Sequence, residues 1–365
     1  MVPRWLRLCL PILALAILAS CATAPPLRDS RGRIVSRGIA ELEAVKIGGD
    51  DQWISIRGRD STAPVLLFLH GGPGDAEIPL TRHFLSGLED RFIVVNWDQR
   101  GAGKSYAAGR PEKMHIEQFV SDTAELTRHL LARFHQEKIY LVGHSWGTLL
   151  GVLAVTRYPE LYYAYGGIGQ FVEARENELL GHCYALDMAR ETGNMQALQE
   201  LAALGDYPPS TETPRAPGGP GWFDELKINR KWVAFFGGAL AYKTGYESLA
   251  ALYLVAPEYN MSDVINCVRG ETESNRLLWP EITRYDLRRD APRFAVPVFF
   301  FIGRHDYTTP SELSARYFAM LEAPEKKLYW FEDSAHCPNF EEPLAFTRAV
   351  RDAFRQHERS GRPRP

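Results

Sequence analysis

The sequence has few residues in the arrangements that hold metal ions. Among its five cysteines no pair has zinc-site spacing, and no H-E-x-x-H occurs, so the common zinc patterns are excluded. Neither a metal nor a cofactor is expected. Charge of one sign is also scarce. Forty-two Lys and Arg stand against 45 Asp and Glu, a formal net charge of −3, which gives no electrostatic case for nucleic acid as a partner. There is no internal repeat and no low-complexity tract, which argues against a solenoid. The apolar run from Leu8 to Ala19 is too short to cross a bilayer as a stable helix. What remains is a chain of 365 residues, 45% of them hydrophobic, long enough to bury a large core in one or two domains.

The N-terminus reads as a targeting segment. Arg4 and Arg7 precede the apolar run, which has the length of a secretory signal core. It ends in Leu18-Ala19-Ser20-Cys21, which resembles the lipobox of bacterial lipoproteins. That resemblance implies cleavage before Cys21 and a lipid anchor on it, with the membrane as a partner. Ala22 follows instead of an aspartate, so an exported lipoprotein of the outer membrane is the expectation. Residues 1–20 are then the signal peptide and 21–37 a tether. Cys183, Cys267 and Cys337 are left as thiols, an odd number that allows at most one disulfide.

From residue 38 the chain alternates strands and helices. Glu41 to Ile47 and Gln52 to Gly58 flank Gly48-Gly49 as an antiparallel pair. Val65 to Leu69 and Phe92 to Trp97 are apolar strands, and His115 to Phe134 has helical periodicity. Ile139 to Val142 is a third apolar run, followed by Gly143-His144-Ser145-Trp146-Gly147 and a helix to about Arg157. A strand around Ala164 to Ile168 comes next. Helical stretches follow at Glu173 to Thr192 and Met195 to Ala203, then a proline- and glycine-rich loop and aromatic segments up to about Pro292. Val296 to Ile302 and Lys327 to Phe331 resume the strands, with helices at Pro310 to Leu321 and Pro343 to Arg355. This order implies an α/β fold, a mostly parallel sheet covered by helices. Residues 38–169 and 293–358 form the core, and 170–292 a helical lid inserted into it.

Strand, sharp turn and helix around Ser145 are the context of a nucleophile elbow. The flanking glycines give room for a strained serine, and N–H groups at the helix start can stabilise an oxyanion. A serine nucleophile needs a base and a group to orient that base. Asp306 follows a strand end in Gly303-Arg304-His305-Asp306, and His336 follows the next strand in Ser334-Ala335-His336. Both fall outside the carboxyl ends of strands, where open α/β sheets build their sites. Glu173 and Asp290 are weaker rivals for the acid. The oxyanion donors expected are the N–H groups of Trp146 and of Gly72, the latter in His70-Gly71-Gly72-Pro73-Gly74. His144 is expected to project away from the nucleophile. Gly101-Ala102-Gly103-Lys104-Ser105 lacks the first glycine of a phosphate loop, since Asp98 stands there.

Together, HGGPG at His70–Gly74, DQRGAGKS at Asp98–Ser105, GHSWG at Gly143–Gly147, GRHD at Gly303–Asp306 and SAH at Ser334–His336 resemble the prolyl iminopeptidase family of α/β-hydrolases. The resemblance covers the core from about Glu41 to Gly169 and from Val296 onward. It implies an α/β-hydrolase fold with a helical lid and release of an N-terminal residue, often proline, from a peptide. It also implies that Asp98 and Arg100 are core-stabilising residues near His70. The lid departs from the family, whose carboxylates hold the substrate amine in a Trp-x-x-Trp-Glu-Gly-like stretch. Here Trp232-Val233-Ala234-Phe235-Phe236-Gly237-Gly238 has no acid. Glu173, Glu176 and Glu178 are the candidates to replace it. The missing acid leaves an esterase or amidase acting on a small apolar acyl substrate as the alternative, and a noncatalytic binding protein as a third reading.

Overall fold

The structure, a computed structural model, describes residues 22–208 and 221–355. Residues 1–20, expected to be a signal peptide, Cys21 and most of the proline- and glycine-rich loop fall outside them. Eight strands form one sheet: β1 (Ile39–Ile47), β2 (Asp50–Gly58), β3 (Val65–Leu69), β4 (Ile93–Asp98), β5 (Ile139–His144), β6 (Tyr162–Ile168), β7 (Val298–Gly303) and β8 (Lys326–Phe331). Their order is β1-β2-β4-β3-β5-β6-β7-β8. β1–β2 and β2–β4 are antiparallel, and every later pair is parallel. The parallel strands β3, β4, β5 and β7 are buried along their whole length. That is why they read as unbroken apolar runs instead of alternating ones.

Helices cover both faces. They are α1 (Ile78–Leu85), α2 (Ile116–Phe134), α3 (Trp146–Arg157), α4 (Ala174–Glu191), α5 (Met195–Ala202), α6 (Trp222–Phe235), α7 (Glu247–Leu254), α8 (Met261–Ile282), α9 (Leu287–Asp290), α10 (Ser311–Met320), α11 (Pro338–Glu341) and α12 (Pro343–Phe354). α4 to α9 lie between β6 and β7 in the chain, as the lid reading requires. One apolar cluster joins α2 and α3 to the sheet through Leu126, Leu130, Leu149 and Val152. On the other face Phe346, Val350 and Phe354 of α12 pack on Phe299, Phe301 and Tyr140.

Among the described residues six helices are absent from the sequence reading: α1, α6, α7, α9, α11 and α8. The last is the longest in the lid. Its inward stripe is Asp263, Gly270, Ser274, Leu278 and Ile282, so the first half buries polar and small residues and shows no apolar period. Asp263 is turned inward to the Lys104 ammonium at 2.8 Å, and Asn260 and Asp263 close a capping box at the helix start. The glycine is required by contact. A Cβ at Gly270 would lie 2.2 Å from Gly101 O, and one at Gly74 would lie 2.4 Å from Gly270 O. Helix α8 therefore rests on backbone from two of the motif loops.

The segment read as a tether is not loose. Leu27 is buried, and Pro25 O accepts from Arg57 Nη1 at 2.7 Å. Thr23 N donates to Pro257 O at 2.8 Å. Cys183, Cys267 and Cys337 are all free thiols.

Substituting Gly270→Ala tests the seating of α8. The new methyl meets backbone, which cannot rotate away, so unfolding free energy should fall by about 2–4 kcal/mol in urea titrations. No change would mean that the helix does not sit on the loop at Gly101.

Candidate active site

Ser145 sits between β5 and α3 with φ 53° and ψ −118°, a conformation that costs a non-glycine residue about 1–3 kcal/mol. Its surroundings hold it there. Ser145 N donates to Ile168 O at 2.9 Å, and Ser145 O accepts from Thr148 Oγ1 at 2.6 Å. The imidazole of His336 packs on the residue after Ile168. A Cβ at Gly169 (φ +52°) would lie 2.7 Å from His336 Cε1 and Nδ1. Ser145 and His336 are thus each held against the Ile168–Gly169 turn, and both line one cavity of about 480 Å³.

Behind the imidazole, His336 Nδ1 lies 2.9 Å from Asp306 Oδ2. The same carboxylate accepts from Thr308 N at 2.8 Å, Thr309 N at 2.9 Å and Thr309 Oγ1 at 2.9 Å. Four donors fix both oxygens, so Asp306 can orient His336 in one tautomer. The loop carrying His336 is clamped by Glu341, which accepts from Ala335 N at 2.9 Å and Cys337 N at 3.3 Å. Burial pushes the Glu341 carboxyl up to about 7 even so.

Gly72 and Trp146, the expected oxyanion donors, line the same cavity. The N–H of Gly71 is committed to Glu77 Oε1 at 3.2 Å. At Gly72 (φ +110°) a Cβ would lie 2.6 Å from Gly74 N, so only glycine fits. Gln99 holds the two donor loops together. Its N donates to His70 Nε2 at 3.0 Å and its Nε2 to His70 O at 3.1 Å. Its Oε1 accepts from Trp146 Nε1 at 3.0 Å. Contact with His70 therefore belongs to Gln99. Asp98 instead takes Tyr259 OH at 2.7 Å and Lys104 N at 2.9 Å, and Arg100 pairs with Asp122 and Asp50 at 2.7 and 3.2 Å.

Two expectations need correction. His144 does not point away: its ring lies 5.1 Å from that of His336, and its Nδ1 is 2.7 Å from Glu77 Oε1. Burial opposes its charged form, but the Glu77 carboxylate and the His336 carbonyl outweigh burial and raise its pKa. The three lid glutamates are also engaged elsewhere. Glu173 caps α4 by accepting from Arg175 N and Glu176 N at 2.9 and 2.6 Å. Glu176 pairs with Arg288 at 2.6 Å and Arg316 at 2.7 Å. Glu178 is buried, taking Arg230, Asn229 Nδ2 at 3.1 Å and Tyr207 OH at 2.7 Å. None of the three lines the cavity; Asn177 between them does. Its Oδ1 is buried with no hydrogen-bond partner among the described residues.

The acids that do line the cavity are Asp75, Glu77 and Glu271. Asp75 and Glu271 are solvent-accessible yet enclosed by protein, and that enclosure raises both carboxyls. Repulsion from Glu271 and Glu77 adds to the shift at Asp75. Asp75 directly follows the HGGPG motif, a signal that reading the motif alone passes over. Glu271 sits on α8, one of the helices that the sequence reading lacked.

The sequence profile described as "Alpha/beta hydrolase family" matches residues 66–349. The chain belongs to this family. A Bacillus subtilis (strain 168) relative named "Probable aminopeptidase YbaC" is 35% identical over 326 residues, covering 88% of this chain and 98% of its own. "Proline iminopeptidase" of Heyndrickxia coagulans is 23% identical over 79% of this chain and 89% of its own. The crystal structure of proline iminopeptidase from Mycobacterium smegmatis superposes with a TM-score of 0.58 over 87% of this chain and 99% of its own. Its 17% identity makes that a likeness of fold alone. The α/β-hydrolase fold expected from the motifs is therefore the fold of this chain.

Burial is the largest influence on His336 and lowers its pKa; Asp306 opposes the shift, and His144 and Arg230 reinforce it. A lowered value keeps the imidazole neutral, and able to accept a proton, into mildly acidic pH. Inactivation by a fluorophosphonate should therefore rise with pH to a midpoint below about 6.5, the ordinary histidine value. A midpoint clearly above that would remove His336 as the base.

Proposed function

We propose that the chain is a serine aminopeptidase that releases an N-terminal residue, proline or another apolar one, through an acyl-enzyme. The observation that carries this reading is the placement of Asp75 and Glu271 in the cavity that holds Ser145 and His336. Two carboxylates with raised pKa values complement the ammonium of a free N-terminus, whose charge favours their ionised forms. Asn177 Oδ1 adds an acceptor for an N–H. The aminopeptidase name of the 35% identical relative supports the same reading.

In the proposed reaction Ser145 attacks the carbonyl while His336 takes its proton, and Asp306 orients the ring and stabilises the imidazolium. The N–H groups of Trp146 and Gly72 stabilise the tetrahedral oxyanion. His336 then protonates the leaving amine, and water resolves the acyl-enzyme with His336 again as base. Apolar walls at Phe171, Phe223, Leu226 and Trp279 suit a small apolar side chain. The same walls favour the second reading, an esterase or amidase on apolar acyl groups. A noncatalytic binder has no use for the strained serine.

A substrate panel separates them: proline and other aminoacyl arylamides, an N-blocked proline amide, and short acyl esters. Ser145→Ala should lower every activity by at least about 10³-fold. Asp75→Asn and Glu271→Gln should each raise KM for the aminoacyl arylamides by about tenfold or more, with ester hydrolysis changed less than about threefold. Cleavage of only the esters or the blocked amide would overturn the aminopeptidase reading.

A further inference from the structure

The lid carries an apolar face with no covering element among the described residues. On α8, Met261, Ile265 and Val268 are 40%, 43% and 67% exposed at a spacing of four and three, which places them on one side of the helix. Leu254 and Val255, at the end of α7, are 62% and 75% exposed, and Ala250 and Ala251 beside them are exposed too. Over residues 261–269 the exposed charged side chain is Arg269, since Asp263 is buried against Lys104. Clustered apolar exposure of this kind marks a binding surface more often than it marks ordinary exterior.

The start of the chain points to what covers it. Thr23 N is hydrogen-bonded to Pro257 O at 2.8 Å, in the turn that joins α7 to α8. The following residues hold that position, with Pro25 O on Arg57 at 2.7 Å and Leu27 buried. Cys21, the residue that the lipobox-like Leu18–Cys21 sequence makes a lipid attachment point, is two residues upstream of Thr23. Two residues reach at most about 7 Å. Acyl chains carried on Cys21 would therefore start close to the turn that joins α7 to α8, not at the end of a long free tether.

We propose that this face of α7 and α8 docks on a phospholipid bilayer, with the acyl chains of Cys21 entering the same leaflet alongside it. Anchor and surface then act as two linked contacts, and apolar side chains at the helix surface settle at the headgroup–acyl boundary. Arg269 sits where an anionic headgroup would meet it. Leu249, Ala250, Val264 and Val268 also line the cavity, so docking brings one rim of the cavity to the membrane. The inference is independent of which bond Ser145 cleaves.

The test uses the full chain, isolated from a bacterial envelope and reconstituted in phosphatidylethanolamine–phosphatidylglycerol vesicles. In a Cys183→Ser background, a polarity-sensitive fluorophore is placed by Val255→Cys, Val268→Cys or Met320→Cys, and label at the native thiols is subtracted using the background protein. Met320 is 62% exposed at the far end of α10, toward the amino edge of the sheet. Shallow-doxyl lipids should quench the labels at 255 and 268 at least about twofold, with blue-shifted emission, and leave the label at 320 unchanged. A vesicle-bound protein with 255 and 268 as unquenched as 320 would overturn the docking surface while leaving the anchor. Recovery of the chain without acyl groups on Cys21 would overturn both. Blue shift without lipid, accompanied by a dimeric mass in sedimentation, would assign the face to a second copy and overturn the proposal too.

Discussion

The site depends on keeping Ser145 in a backbone conformation it would not adopt alone. Close packing around it does this. A Cβ at Gly143 would lie 2.2 Å from Gly147 O, and one at Gly147 would lie 2.2 Å from Leu69 O. β5, the start of α3 and the end of β3 are thus in backbone contact around the serine, and each glycine is where it is because a side chain would push two of them apart. The strain, about 1–3 kcal/mol, is carried by a buried parallel sheet and by the bonds from Ser145 to Ile168 and Thr148. The hydroxyl is held at the carboxyl rim of the sheet, where β3, β5, β6, β7 and β8 deliver their loops.

Two buried polar networks then set the donors and the base. Gln99 spans the loop at His70 and the indole of Trp146, so the candidate oxyanion groups on separate loops share one brace. Glu77 ties the N–H of Gly71 to the His144 imidazole, which faces the His336 ring. Buried pairs of this kind add little net stability, but removing one partner leaves an uncompensated charge. Their value here is positional: they fix the loops to one another within hydrogen-bond distance while the cavity beside them stays open.

Much of this was legible in the sequence, and the reasons are particular. Strands buried on both faces announce themselves as apolar runs, and Ser145, Asp306 and His336 each follow such a run, so the topology could bring them to one edge. The structure does converge them. The lid was harder to read because its contacts do not follow an apolar rhythm. α8 buries Asp263, Gly270 and Ser274, each for a contact with a distant loop, and no periodicity records that. The same blindness misplaced the amine-binding acids. Glu176 and Glu178 looked available because their arginine, asparagine and tyrosine partners lie far along the chain, while Glu173 is taken up in capping its own helix. Asp75 and Glu271 come together only when α8 seats on the loops at Gly74 and Gly101. His144 was misread for a similar reason, since Glu77 is not a sequence neighbour.

The central claim is that the strained hydroxyl of Ser145 becomes covalently acylated. It is tested most directly by acid-quenching the protein within milliseconds of mixing with an aminoacyl ester, then locating the mass increment by peptide mapping. The account predicts a transient aminoacyl adduct on the peptide carrying Ser145, decaying at the rate of steady-state turnover when deacylation is limiting. Turnover with no adduct at Ser145, or with the adduct on another residue, would contradict it.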